Sequence, residues 1–186
     1  MKVILQRVVS DPRYLKNIEY GEPRSGHREG KIKFHIAELE SNLEKLAPRI
    51  SEEQYWQLKF LIHVHDTFKA EARPDSPIEG PQSHASLARK FASEFTDDMD
   101  LLNIIQYHDM NFALWKQYVA RGSYDLPRFF TLLDTIMDWD LFLMFLIIDG
   151  CAQGKDPDKV GWFINEVRKS RTTIIDEGWI LTIGDG

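Results

Sequence analysis

Several histidines and aspartates of this chain stand where apolar runs end. His65 and Asp66 close LIHVHD, His108 and Asp109 close NIIQYHD, and Asp149 closes LFLMFLIID, while His35 lies on the first clearly periodic segment. A carboxylate at the end of so apolar a stretch is costly to bury unless it pairs with a cation or coordinates one. Neutral imidazole nitrogens and carboxylate oxygens together suit a divalent metal such as Mn, Fe, Co, Ni or Zn, with Mg as a harder alternative. Such an ion lowers the pKa of water and clamps a phosphate oxygen. Adjacent His and Asp on one helix point about 100° apart, so both reach an ion lying between helices only if other helices supply the remaining ligands. His63 lies two residues before His65, faces away from it, and reads as structural. Asp134, Asp138 and Asp140 read as caps or a solvated face. Trp115, Trp139 and the Phe129–Phe130 pair read as core. Gly26 and Gly30 lack the flanking strand and Gly-Lys-Ser/Thr pattern of a phosphate loop.

The elements that must position these groups are helices. Residues 1 to 30 carry Pro12, Gly21, Pro23, Gly26 and Gly30 and read as a short strand or helix followed by a loop. From Lys31 an apolar stripe (Phe34, Ala37, Leu39, Leu43, Leu46) runs to Pro48. Ser51 and Gln54 have the spacing of a capping box, and the helix they open, with Trp56, Leu58, Phe60, Leu61, Ile62 and Val64, is too apolar for the surface. Pro74, Pro77, Gly80 and Pro81 mark a loop. Helices are predicted over 84–95, from a cap at Asp97 or Asp98 to about Val119, over 126–137, over 139–151, and after Asp156–Pro157. The tail ILTIGDG reads as a short strand or as loose chain. The expectation is an all-α single domain, residues 1–186, of about seven helices around one core.

Composition narrows the class. The chain has 186 residues, 28% charged and 43% hydrophobic, with a net charge of -6, so no global basic field draws nucleic acid to it. A single cysteine, Cys151, allows no internal disulfide. The longest apolar run, residues 141–148, is far short of the roughly 20 residues that span a bilayer. The N-terminus lacks the length and cleavage site of a signal peptide. A cytoplasmic location and no membrane partner are expected.

The order His35, His65-Asp66, Asp149 resembles the H…HD…D signature of the HD superfamily of metal-dependent phosphohydrolases, and is most similar to the HD domain of bacterial tRNA nucleotidyltransferases. In that family a His-Pro-Glu element precedes the first ligand histidine by eight residues; here GHREGKIKFHI places His27 eight residues before His35. The family's HD-x-GK element is matched by His65, Asp66, Thr67, Phe68 and Lys69, its histidine-bearing helix by His84 in SHASLARKF, its His-Asp pair by His108 and Asp109, and its last aspartate by Asp149 in IIDGCAQGKDP. The resemblance covers about residues 24–156. Phe68 departs from the usual glycine, Ala85 from a glutamate and Lys31 from an acid. The Gly-Gly…Asp-x-Asp motif of the nucleotidyltransferase part is absent, so that enzyme's substrate does not carry over.

The resemblance implies a phosphomonoester or phosphodiester hydrolase acting on a small phosphorylated substrate, a nucleotide. His35, His65, Asp66 and Asp149 would hold a divalent ion, Asp66 or a neighbouring carboxylate would take the proton, and Lys69 would offset phosphate charge. Arg24, His27 and Lys31 would add phosphate contacts. His84 and His108 would either bind substrate or complete a second ion site bridged by Asp66; the first role is the expectation. The competing readings are a non-catalytic HD-type nucleotide sensor and an HD-type di-iron oxygenase.

Overall fold

The structure, a computed structural model, describes residues 1–23 and 30–184. In chain order the α-helices are α1 (Lys2–Val9), α2 (Pro12–Asn17), α3 (Ile32–Leu46), α4 (Glu52–Val64), α5 (His84–Ala92), α6 (Met99–Tyr107), α7 (Met110–Arg121), α8 (Leu126–Thr135), α9 (Trp139–Gly150), α10 (Asp158–Arg168) and α11 (Gly178–Gly184), with a 3-10 turn at Ala47–Arg49. No strand occurs among the described residues. Among the described residues no helix is long and apolar enough to cross a membrane.

The architecture is organised around α9. Trp139 and the eight residues from Leu141 to Ile148 are all buried, and a helix that is apolar all round must run through the interior. Asp138 caps it by accepting from the Leu141 amide at 2.8 Å. Helices α3, α4, α10 and α11 pack against it. Helix α4 is the second interior element, opened by the capping box expected of Ser51 and Gln54. Helices α5 and α6 form an adjacent pair beside α4. Between α3 and α9 a buried tie, from Asn42 Nδ2 to the carbonyl of Ile148 at 3.0 Å, sets the last turn of α9 against α3.

The helix count is a correction to the sequence reading, which expects about seven. Three places account for it. Residues 1–23 contain two short helices, because Leu5, Val8 and Tyr14 bury apolar side chains that the turn-rich composition obscures. The single helix expected from residue 97 or 98 to 119 is divided at His108–Asp109. The tail is helical, with Trp179 and Ile183 buried four residues apart, so packing overrides the β-prone composition. Helix α7 ends where Gly122 takes the left-handed conformation at φ 69.

One close approach fixes the loop after α9. A Cβ added at Gly150 would lie 2.3 Å from Cγ2 of Val160, so α9 and the first turn of α10 meet without room for a methyl group. Gly150→Ala is expected to lower stability by about 1–3 kcal/mol through overpacking, read as a lower urea midpoint with an unchanged m-value. An unchanged midpoint would mean that the two helices separate freely.

Candidate metal centre

The ends of α3, α4, α6 and α9 and the start of α5 converge. His35 lies in the first turn of α3, His65 caps α4 and Asp66 follows it, His84 opens α5, His108 caps α6, and Asp149 is the penultimate residue of α9. The His65 ring places Nδ1 3.1 Å from the carbonyls of Leu61 and Ile62, and His108 Nδ1 lies 2.8 Å from the carbonyl of Ile105. Carbonyls only accept, so in both rings Nδ1 carries the proton and Nε2 is turned to the cluster. These bonds also explain the backbone. The carbonyls of Ile62 and Ile105 are those that the amides of Asp66 and Asp109 would need to continue each helix, and the imidazoles take them instead.

Two groups of side chains result. In the first, ligand atoms of His35, His65 and Asp149 lie within 4.8 Å of one another; in the second, those of Asp66, His84 and His108 do. Asp66 faces both. Its Oδ2 is 3.3 Å from His65 Nε2 and 4.0 Å from His35 Nε2, and its Oδ1 is 3.5 Å from Nε2 of both His84 and His108. Within the first group His35 Nε2 is 3.0 Å and His65 Nε2 3.9 Å from Asp149 Oδ1. Within the second the two imidazole Nε2 atoms face each other at 3.1 Å. Metal–nitrogen bonds of about 2.0–2.1 Å allow two ligands of one ion to lie up to roughly 4 Å apart, so these spacings suit a coordination sphere. The donors behave accordingly: His65 Nε2 and Asp66 Oδ1 are buried with no hydrogen-bond partner, which is unfavourable for polar atoms unless a cation satisfies them. These buried groups could hold a metal ion.

The charge balance points the same way. Burial pushes the Asp66 carboxyl up, but the Lys69 ammonium, His65 and His108 more than reverse this and hold it well below the ordinary carboxylate range. Asp149 is similarly held down against burial by Lys155 and His35. Burial lowers His65. Burial also works against protonation of His108, but Asp109 and Asp66 outweigh it and raise that ring to about 9. Partial burial works against ionisation of Asp109, but His108 and His84, whose Nε2 is 3.3 Å from its Oδ2, outweigh it and hold the carboxyl below the ordinary range. Three ionised carboxylates therefore face four imidazoles in a water-poor site, a field that favours cations.

Two cations already answer it. Lys69 Nζ sits 2.5 Å from Asp66 Oδ2 and Lys155 Nζ 2.7 Å from Asp149 Oδ1. The sequence reading assigns Lys69 to a substrate phosphate, whereas here it is bound to Asp66. It gives no role to Lys155, which comes from the loop after α9. Asp109 is paired with His108 in the sequence but likewise has no role assigned there. Arg24 and His27 lie outside the described residues, and Lys31 pairs with Glu19 at 3.0 Å. His63 is directed elsewhere, to Tyr14 Oη at 2.6 Å and Glu40 Oε1 at 3.1 Å. Its structural reading agrees with that position.

Two cavities open onto the centre. One of about 940 Å³ is lined by Asp66, His84, His108 and Asp149, and also by Lys69 and Lys155. A smaller one of about 410 Å³ reaches His35, Asp66 and Lys69 from the side of residues 19–23. Trp115, read as core, lines the larger cavity, and Phe130 is exposed. Both occupy helix faces where apolar periodicity alone does not separate core from cavity wall. Protein-family models, curated proteins and solved structures give no match to the chain.

Proposed function

We propose that the chain is a metal-dependent phosphohydrolase of the HD type, acting on a phosphomonoester or phosphodiester of a nucleotide. The observation that carries this reading is the division of the site about Asp66, one carboxylate oxygen toward each of two His/Asp groups. The sequence expectation prefers one ion, with His84 and His108 as substrate contacts; their grouping with Asp66 favours two. His35, His65 and Asp149 would hold the first ion and His84 and His108 the second, with Asp66 shared. Bound divalent metal supplies Lewis acidity, polarising a phosphoryl oxygen and lowering the pKa of water.

The protein's own groups supply the rest. Lys69 and Lys155 neutralise Asp66 and Asp149, and both line the large cavity. Once those carboxylates serve as ligands, the two ammonium groups are placed to bind the oxygens of a phosphate entering from it. Asp109, ionised and half-exposed beside His84 and His108, would orient these histidines. In this arrangement Asp66 would be shared by the two groups, and the proton-accepting role would fall to the neighbouring carboxylate that the sequence reading gives as its alternative.

The test is a hydrolysis screen over nucleotides, cyclic nucleotides and sugar phosphates with Mn, Co, Ni and Mg. Release of phosphate or of a monoester, abolished by chelator, is expected. Lys155→Met should lower kcat/KM by about 10²-fold, the effect of losing one well-placed donor. No turnover on any phosphoester with any of these metals would refute the reading. The engaged pair His84 and His108 also fits a di-iron oxygenase. That reading requires an oxygenated product from the iron-loaded protein under oxygen, and has no use for two lysines on the ligand carboxylates. A nucleotide sensor predicts binding without turnover in the same screen.

A further inference from the structure

The large cavity extends well beyond the volume one phosphate needs, and its lining carries cations that the centre does not use. Lys69 and Lys155 are each committed to a carboxylate of the site. Lys159, in the first turn of α10, lines the same cavity and forms no ion pair among the described residues. Its Nζ lies over the Phe112 ring, 5.3 Å from the centroid. Arg73, from the loop between α4 and α5, lines the cavity as well and also forms no ion pair among the described residues.

The placement of Lys159 is rigid and electrostatically unfavourable as it stands. Its neighbour Val160 is fully buried and locked against Gly150, which holds the first turn of α10 close to Asp149 and the loop of Lys155. Burial and the adjacent Lys155 ammonium pull Lys159 below the ordinary lysine value, and Asp149, Asp109 and Asp156 only partly offset them. Asp75 and Asp156 line the cavity too, but neither lies within ion-pair distance of Lys159. A half-buried ammonium kept next to a second one, in a cavity whose aspartates lie near it but form no ion pair with it, is stabilised when an anion enters.

We propose that Lys159, with Arg73 on the lining of the same cavity, forms a second anion subsite, and that the substrate is a nucleotide carrying a second phosphate besides the one presented to the metal centre. The proposal rests on the phosphohydrolase reading for the first phosphate. Lysine and arginine together suit phosphate, the one as a point charge and the other as a fork of donors. Phe112 and Trp115, which line the same cavity, offer aromatic surface to the nucleoside. A cavity of about 940 Å³ is at the upper end of the roughly 300–1,000 Å³ typical of small-molecule sites.

The experiment compares calorimetric binding of adenosine 5′-monophosphate and adenosine 3′,5′-bisphosphate to the protein purified with its metal, with product analysis of each mixture. The wild type is expected to bind the bisphosphate at least tenfold more tightly. Lys159→Gln should reduce that preference to within twofold, and Lys159→Arg should keep it. Arg73→Gln, on an exposed loop, should reduce it in part and carries the test if Lys159→Gln does not fold. Equal affinities in the wild type, a preference intact in both glutamine variants, or no binding of either compound would overturn the proposal. Tight, Lys159-dependent binding of a bisphosphate that is left intact would overturn the hydrolase reading and leave the subsite standing. Hydrolysis of the monophosphate without any preference would do the reverse.

Discussion

Replacing Asp66 by Asn is expected to remove more metal than any other single change at the centre. The protein should carry two divalent ions per chain in this arrangement. His35→Ala and His108→Ala, each confined to one group, should leave about one. Asp66→Asn should leave fewer than one, because its two oxygens face the two groups separately and an amide presents a single weak acceptor. Turnover should fall by at least the roughly 10²–10³-fold seen when one electrostatic stabiliser of a reacting group is lost. Asparagine is the better probe than alanine, since Asp66→Ala would leave the half-buried Lys69 ammonium without its partner. Metal analysis after dialysis, with circular dichroism to confirm folding, reads the result. If Asp66→Asn and His35→Ala lose the same amount of metal and His108→Ala loses none, a single ion occupies the first group, and His84 and His108 are substrate contacts.

Much of this arrangement is legible in the amino-acid sequence alone. The run LFLMFLII reads as an interior helix, so a carboxylate at its end, Asp149, is costly to bury unless it is paired or coordinated. His65-Asp66 and His108-Asp109 end apolar runs for the same reason. Other features leave no such trace. The break between α6 and α7 falls inside NIIQYHDMNFALW, where neither glycine nor proline interrupts the apolar period. It arises from the His108 side chain capturing the carbonyl of Ile105, a contact that depends on where the ring is needed. Lys155 sits in a loop whose composition signals only a turn, and its approach to Asp149 leaves no mark in the spacing of the chain. A single aspartate serving two groups with separate oxygens is a property of three-dimensional convergence. Spacing along the chain places ligands on helices but does not say which of them share an ion. Trp115 shows the same limit: an aromatic residue on a helix face serves a core or a cavity wall, and only the neighbouring helix decides.

Phe145→Ala is expected to have the largest effect on stability, and to reach the site as well. Phe145 is fully buried in the middle of α9 and meets the His65 ring edge to face, with centroids 5.1 Å apart. Removing a buried phenyl ring costs about 3–5 kcal/mol, from lost transfer energy and the cavity left behind, which is a large share of the roughly 5–15 kcal/mol that holds a domain folded. The loss should appear as a lower urea midpoint at constant m, measured with chelator present so that metal linkage does not contribute. His65 is oriented by two restraints, its Nδ1 at the carbonyls of Leu61 and Ile62 and the Phe145 ring behind it. Without the ring, the imidazole keeps its tautomer but gains room to tilt. Metal affinity should then fall by about 10–100-fold, the range for disturbing a group that supports a ligand. Phe145→Leu separates the two effects, since it restores much of the buried volume but not the flat edge against His65. It is expected to recover most of the stability and little of the metal affinity. Full recovery of both in Phe145→Leu would show that the ring merely fills space and that the carbonyl bonds alone aim His65 at the centre.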